Sequence, residues 1–159
     1  MAGDAHVKRR AFLRDTAALA GAVAIGVHAQ GGLAPSQDIT PLIAKITGGR
    51  KVEPGGIDID IPQVAENGNS VPAHIKVESP MTPDDYVGAI HVFAPRNPRP
   101  HVATFHLGPQ SGRAEISTRI RLAGTQKVTV LAALSGERFR MADFEVLVTS
   151  AACLDESSI

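Results

Sequence analysis

The chain has 159 residues, and its 16 lysines and arginines balance 16 aspartates and glutamates, so its formal net charge at pH 7 is zero. This balance gives no electrostatic reason to expect binding to nucleic acid or to an anionic surface. The length suits a short leader followed by one domain with one core. The chain's single cysteine, Cys153, lies near the C-terminus and has no partner for a disulfide within the chain.

The N-terminal residues have the pattern of a bacterial export signal. Arg9 and Arg10 form an adjacent arginine pair, and an apolar run rich in alanine and glycine follows over residues 17–27. Residues 27–29 then fit the small-residue pattern read by signal peptidase. We therefore predict a twin-arginine signal peptide over residues 1–29 and a periplasmic mature protein. The run is too short for a membrane anchor, so no membrane association is expected after cleavage. An amphipathic N-terminal helix is the alternative.

A short helix is predicted to open the mature domain, after a flexible lead-in over residues 30–37 that contains two glycines and a proline. Asp38 and Thr40 can cap this helix, Pro41 fits its first turn, and Gly48 with Gly49 ends it. Its predicted apolar stripe comprises Ile39, Leu42, Ile43 and Ile46.

From residue 57 onward, apolar and polar residues alternate with the period of two that is typical of β-strands. The predicted strands cover about residues 57–61, 71–77, 89–94, 102–107, 113–122, 127–134 and 139–149. A change of parity within the last of these suggests a β-bulge. The pattern predicts an all-β fold, an immunoglobulin-like antiparallel β-sandwich over residues 38–149, with a small barrel as the alternative.

The histidines of the strand region invite a metal-site interpretation. His101 and His106 can approach each other across a strand, but His74 falls on a polar strand face and His101 in a proline-rich loop. We therefore expect solvated or hydrogen-bonded imidazoles at these positions and at His91, with no metal and no cofactor. A blue-copper site is excluded because no histidine or methionine follows Cys153.

Other polar groups have ordinary structural explanations. Asp84 and Asp85 lie in a stretch of turn composition, which favours a turn over a catalytic carboxylate pair. Arg119 and Arg121 share one strand face, which fits a solvated surface or a partner contact. A thiol on a terminal tail has no fixed neighbouring base, so Cys153 does not fit a hydrolase nucleophile.

Cys153 follows the last predicted strand across three small residues and precedes a mostly polar ending. This position predicts an exposed thiol on a tail that comprises residues 150–159. The alternatives are a small buried hydrophobe and a thiol that oxidises with that of a second chain.

Several stretches, together covering most of the mature chain, form a recognisable set of motifs. Residues 64–72 read VAENGNSVP, 78–87 ESPMTPDDYV, 90–94 IHVFA, 97–98 NP, 102–107 VATFHL and 111–123 SGRAEISTRIRLA. This set resembles SoxY, the sulfur carrier of bacterial thiosulfate oxidation.

The resemblance implies an immunoglobulin-like sandwich that forms a heterodimer with a SoxZ subunit. It also implies a flexible C-terminal arm, here residues 150–159, on which Cys153 holds sulfur intermediates covalently. SoxAX cytochrome would load thiosulfate onto this thiol oxidatively, SoxB would hydrolyse off sulfate, and a sulfane dehydrogenase would oxidise the remaining sulfur. These three contacts are transient, and the carrier itself is not an enzyme.

The arm departs from the family pattern, in which glycine pairs flank the cysteine. Ala151 and Ala152 precede Cys153, and Leu154 and Asp155 follow it. Because glycine has no Cβ, these residues thicken an arm that enters narrow clefts, and Asp155 adds a charge that repels anionic thiosulfate. Two readings therefore stand beside a divergent carrier. They are an arm-silent paralogue that acts as a SoxZ-binding scaffold, and a histidine-based metal-binding sandwich.

Overall fold

The structure, a computed structural model, describes residues 35–152. In this range one α-helix, α1 (Thr40–Thr47), precedes nine strands, and two short 3-10 helices lie between strands at Pro109–Ser111 and Ser135–Glu137. The strands are β1 (Val52–Pro54), β2 (Ile57–Asp60), β3 (Val64–Ala65), β4 (Val71–Val77), β5 (Val87–Phe93), β6 (His101–His106), β7 (Glu115–Ile120), β8 (Gln126–Leu134) and β9 (Arg138–Val148). The predicted signal peptide with Arg9 and Arg10, most of the lead-in, and Cys153 with the residues after it lie outside the described residues.

The strands form two sheets. The larger has the order β1-β9-β8-β5-β6, with β3 also paired to β9, and the smaller has the order β2-β4-β7. Neighbouring strands run antiparallel, except that β1 and β3 run parallel to β9. The predicted immunoglobulin-like β-sandwich is confirmed. The two short parallel pairs are an addition that side-chain alternation does not encode.

The main core lies between the two sheets, where the inward residues of alternating strands meet. β4 alternates buried and accessible positions along its whole length, as its sequence predicts. β8 is buried at nearly every position, because both of its faces are covered. The inward residues of β4 and β8 are Val71, Ala73, Ile75, Val77, Val128, Val130, Ala132 and Leu134.

A second apolar cluster lies on the opposite face of the larger sheet, beneath α1. It contains Phe93, Leu131 and Phe139, against which the helix packs its apolar stripe. That stripe comprises Ile39, Leu42, Ile43 and Ile46, as predicted. The larger sheet is therefore covered on both faces where α1 lies.

This second cluster explains the parity change in β9. The register between β8 and β9 runs without interruption from Gln126 opposite Val146 to Leu134 opposite Arg138, so the predicted bulge is wrong. Phe139 packs in the cluster under α1, whereas Val146 packs in the main core. The strand buries different faces in its two halves, which shifts the apolar positions without any extra residue.

The helix ends are set by local hydrogen bonds and by glycine. The backbone N–H of Thr40 donates to Asp38 Oδ1 at 2.9 Å, and hydrogen bonds from the Thr40 side chain and backbone lower the pKa of the Asp38 carboxyl. At the other end Gly48 has φ of 63°, a left-handed conformation that terminates α1 where the sequence predicts. Within residues 35–152, no helix is long and apolar enough to cross a membrane.

Leu131→Ala should destabilise the fold through the cluster under α1. Leu131 is fully buried, and its truncation leaves a cavity that the helix and the sheet cannot both close, at a cost of about 3 kcal/mol. Leu147→Ala is the matched control, since Leu147 lies in β9 with 51% of its surface exposed; its unfolding free energy should change by less than about 0.5 kcal/mol. Urea unfolding measures both, and equal losses would contradict the packing described here.

Candidate functional site at the root of the C-terminal arm

The C-terminal end of β9 is held on the body beyond the last paired strand residue. β3 pairs with it in parallel, with Val64 opposite Leu147. The N–H of Thr149 then donates to the carbonyl of Ala65 at 3.0 Å. The Thr149 hydroxyl donates to the carbonyl of Glu66 at 3.1 Å. The ladder therefore continues into residues 149–152, which we call the arm root.

Gly68 and Leu122 receive the last residues of the arm root. The N–H of Gly68 donates to the Ser150 carbonyl at 2.7 Å, and the N–H of Ala152 donates to the Leu122 carbonyl at 3.0 Å. Gly68 and Leu122 are themselves joined, because the Leu122 N–H donates to the Gly68 carbonyl at 2.8 Å. Ala152 is only 7% exposed. The residue that immediately precedes Cys153 is thus bound to the sandwich.

The close approach of these backbones requires glycine at position 68. A Cβ there would lie 2.3 Å from the Leu122 carbonyl oxygen and 2.9 Å from the Ala152 nitrogen. Both distances are shorter than real Cβ contacts permit, and both partners are backbone atoms that cannot rotate away. The turn that presents Gly68 is stabilised by the Asn67 side chain, whose Oδ1 accepts the Asn69 N–H at 2.9 Å.

A buried asparagine holds the loop that carries Leu122. Asn97, 5% exposed, donates from Nδ2 to the Arg121 carbonyl at 2.8 Å. Its Oδ1 accepts the Ala123 N–H at 3.0 Å. Leu122 lies between these two contacts, so Asn97 fixes the position of the carbonyl that accepts the Ala152 N–H.

A groove with a volume of about 290 Å³ lies along the second half of β9. Its lining includes Arg96, Lys127 and Glu145, and Thr125 connects it to β9 by accepting the Val148 N–H at 3.0 Å. Lys127 Nζ also lies 3.7 Å from Asp143, which offsets part of its charge. Glu145 in the lining and Asp143 beside Lys127 balance the two cations, so the charge of the groove does not favour an anionic ligand.

Three of the histidines gather on the β5–β6 edge of the larger sheet. His91 Nδ1 and His101 Nε2 each lie 3.0 Å from the hydroxyl oxygen of Thr104, and the two ring centroids are 5.5 Å apart. His101 also stacks on Phe93 at 4.8 Å. It is the first residue of β6, so its predicted placement in a loop is wrong.

These imidazole nitrogens converge on a hydroxyl group and not on a common vacant point. Among residues 35–152, no group of three or more histidine, aspartate, glutamate or cysteine side chains is arranged to hold a metal ion. His74 lies on the other sheet, on its polar face as predicted. There it contacts the Ser117 hydroxyl at 2.8 Å and Glu115 at 3.1 Å. His74, His91 and His101 thus contact hydroxyl groups, and His101 also stacks on Phe93, in line with the hydrogen-bonded imidazoles expected from the sequence.

The environment of His91 changes its titration. Burial lowers the pKa of the His91 imidazole, and the charges of His101 and His106 lower it further. His101 and His106, which both lie in β6, therefore each influence the pKa of His91 in β5. The sequence predicts an approach of His101 to His106, whereas the ring that lies beside His101 is that of His91.

The remaining predicted groups have structural contacts. Asp85 forms an ion pair with Arg138 at 2.5 Å and lies in a bend closed by the Thr82 N–H to the Asp85 carbonyl at 2.9 Å, so the predicted turn is present. Arg119 donates to the Ser70 hydroxyl at 3.2 Å. Arg121 lies just beyond β7, exposed, in the loop that Asn97 holds.

Sequence reasoning did not identify Gly68, Leu122 or Asn97 as part of a site. Gly68 and Leu122 act through backbone atoms, which every residue carries, and Asn97 acts through its side-chain amide on backbone groups of a distant loop. The Asn67–Gly68 dipeptide is a turn signal, but nothing in it indicates which distant segment will pass against the glycine.

Comparison with solved structures first gives the class of fold. A superoxide reductase (neelaredoxin) from Ignicoccus hospitalis superposes with a TM-score of 0.52 at 12% identity, over 58% of this chain and 78% of that chain. A superoxide reductase from Nanoarchaeum equitans superposes with a TM-score of 0.51 at 12% identity, over 60% of this chain and 100% of that chain. At such low identity these matches show a shared β-sandwich fold alone.

Two further matches give the family. The sulfur carrier protein SoxY from Chlorobium limicola f thiosulfatophilum has a TM-score of 0.58 and 32% identity, over 69% of this chain and 94% of that chain. Residues 43–153 match the model of the sulfur oxidation protein SoxY. The chain therefore belongs to the SoxY family. Among curated proteins, none matches it.

His91→Gln should flatten the dependence of stability on pH. Because the His91 pKa is lowered in the folded protein, the unfolded chain binds the proton more readily. Stability from this group is present above the unfolded pKa of about 6.5 and is lost as pH falls. Urea midpoints between about pH 7.5 and 5.5 should fall more in the parent protein than in the variant.

A matched test uses the two neighbouring charges. The double variant His101→Gln, His106→Gln should raise the His91 pKa but leave it below its ordinary value, because burial is the larger cause. NMR titration of the imidazole measures this. An unchanged His91 titration in the double variant would contradict the electrostatic part of the explanation.

Proposed function

We propose that this protein is a periplasmic sulfur carrier of a thiosulfate-oxidation system, and that Cys153 holds the sulfur intermediates. The observation that carries the proposal is the SoxY family match, which ends at Cys153 itself. The similarity to a solved SoxY described as a sulfur carrier protein supports the same role.

The chemistry requires one nucleophilic thiol and separate catalysts. The Cys153 thiolate and thiosulfate join through a new S–S bond with loss of two electrons, which a SoxAX-type cytochrome accepts. Hydrolysis by a SoxB-type enzyme then breaks the bond to the sulfonate sulfur, releases sulfate and leaves a persulfide on the cysteine. A sulfane dehydrogenase oxidises that remaining sulfur. The carrier supplies attachment and positioning, and the proposal assigns it no catalytic step and no cofactor.

The proposal also includes a stable partner and a compartment. A SoxZ-like subunit forms a heterodimer with the sandwich, and the enzymes bind only transiently. Arg9 and Arg10 direct the folded chain through the twin-arginine route, and cleavage after Ala29 releases it into the periplasm. The boundaries proposed for the mature chain are a lead-in at residues 30–37, a domain at 38–149 and an arm at 150–159.

The arm-silent scaffold is the second candidate function, and two observations favour keeping it. Ala151 and Ala152 stand where the family pattern has glycines, and Ala152 is buried and hydrogen-bonded to the body. A protein whose arm stays on the body binds SoxZ without passing sulfur. The third candidate, a histidine metal site, has no support in the geometry of residues 35–152.

Intact-mass measurement separates carrier from scaffold. Protein recovered from thiosulfate-grown cells that contain the other Sox proteins should carry sulfur additions that map to Cys153, because the thiolate is the only thiol nucleophile in the chain. Cys153→Ser, expressed in the same cells, is the control and should show none. A uniformly bare thiol in the parent protein would reject the carrier function and favour the scaffold.

Replacement of the arginine pair tests the proposed export route. Arg9→Lys with Arg10→Lys should retain the chain in the cytoplasm at its full length, because the pair is what the twin-arginine route reads. Arg14→Lys is the matched control and should leave export intact. Cell fractionation with N-terminal mass mapping makes the measurement; processing of the double variant at the parent level would exclude this route.

A further inference from the structure

The arm root lies in a preformed docking site on the sandwich that provides two backbone contacts. The Gly68 N–H binds the Ser150 carbonyl, and the Leu122 carbonyl binds the Ala152 N–H, at 2.7 and 3.0 Å. The site is shaped for a backbone, since the space above Gly68 has no room for a Cβ. Asn97 holds the loop that carries Leu122 in place from within the core.

We propose that Gly68 and Leu122 position the carrier cysteine by binding the arm root, and that Cys153 reaches a partner enzyme only after residues 150–152 leave this site. The inference rests on the proposed carrier function and goes beyond it, because it assigns a docked and a released state to the arm and names the residues that set their balance.

The docked state limits how far the Cys153 thiol can reach from the sandwich. While Ala152 is bound, a single residue separates the sandwich from the thiol, which is a span of about 3.5 Å. Release from Ser150 onward frees four residues, which span at most about 14 Å when extended. A cleft deeper than one residue therefore admits Cys153 only in the released state.

The two hydrogen bonds indicate how strongly docking is favoured. A typical net hydrogen bond changes an equilibrium by about fivefold, so two bonds favour the docked state by on the order of 20-fold. The released fraction is then a few per cent, and the apparent affinity of an enzyme that needs this fraction is reduced accordingly. Burial of the Ala152 methyl group stabilises the docked state further, whereas the exposed Ala151 methyl group does not.

Ala152→Gly is the sharpest test, with Ala151→Gly as its matched control. The substitution is the same at both positions, and each adds backbone freedom beside the thiol. Only at position 152 does it remove a buried methyl group. The readout is the rate at which Cys153 reacts with a bulky polyethylene-glycol maleimide, divided by its rate with iodoacetamide. This ratio should rise several-fold in Ala152→Gly and much less in Ala151→Gly.

Gly68→Ala tests the docking site from the other side, without any substitution in the arm itself. Its Cβ would meet the Leu122 carbonyl at 2.3 Å and should displace the arm root. Gly88→Ala is the control, because a Cβ at Gly88 meets only ordinary contacts of 3.7 Å or more. Hydrogen exchange at the Ala152 amide should accelerate on the order of tenfold in Gly68→Ala and stay unchanged in Gly88→Ala.

The outcomes separate this inference from the carrier function. Equal labelling ratios in Ala152→Gly and Ala151→Gly, or unchanged Ala152 exchange in folded Gly68→Ala, would overturn the docked state. If Gly68→Ala does not fold, the comparison of Ala152→Gly with Ala151→Gly still tests the docked state. Sulfur additions on Cys153 of the parent protein test the carrier function independently, so either idea can fail while the other stands.

Discussion

The placement of β9 is the constraint on which the rest of the structure depends. It pairs with β8 on one side along its length and with β1 and β3 on the other. Its first half buries Phe139 under α1 and its second half buries Val146 between the sheets. A strand held at both edges and on both faces cannot slide by one residue without exposing these side chains. The chain therefore leaves the sandwich at a defined point and in a defined register.

That register determines where the arm begins. The hydrogen bonds of Thr149 and Ser150 prolong the pairing of β9 to β3 and to the turn at Gly68, and the hydrogen bond of Ala152 joins the chain to Leu122. Each of them uses backbone atoms that would otherwise be left without partners at the end of an edge pairing. The backbone hydrogen bonding that completes the sheet therefore also holds the segment that precedes Cys153.

The sequence carries most of the fold and little of this site. Alternation locates β4 and β8, and the isoleucine-rich stripe places α1 on a sheet, because side-chain burial imposes both patterns. The parity change in β9 suggests a bulge, because alternation alone does not show that a strand changes its buried face. The prolines before His101 suggest a loop and conceal the start of β6. The role of Gly68 leaves no such pattern, because a contact between two backbones requires only the absence of a side chain.

The fold alone does not indicate which residue carries a reaction. Sandwiches with this architecture also occur in superoxide reductases at 12% identity, so the architecture alone does not specify a reaction. In residues 35–152, every buried side-chain nitrogen and oxygen has a hydrogen-bond partner. The imidazoles of His91 and His101 share the Thr104 hydroxyl. With these polar groups engaged internally, the docked state that we propose for the arm root depends on the local contacts of Gly68 and Leu122, which a small change beside Gly68 can alter without altering the core.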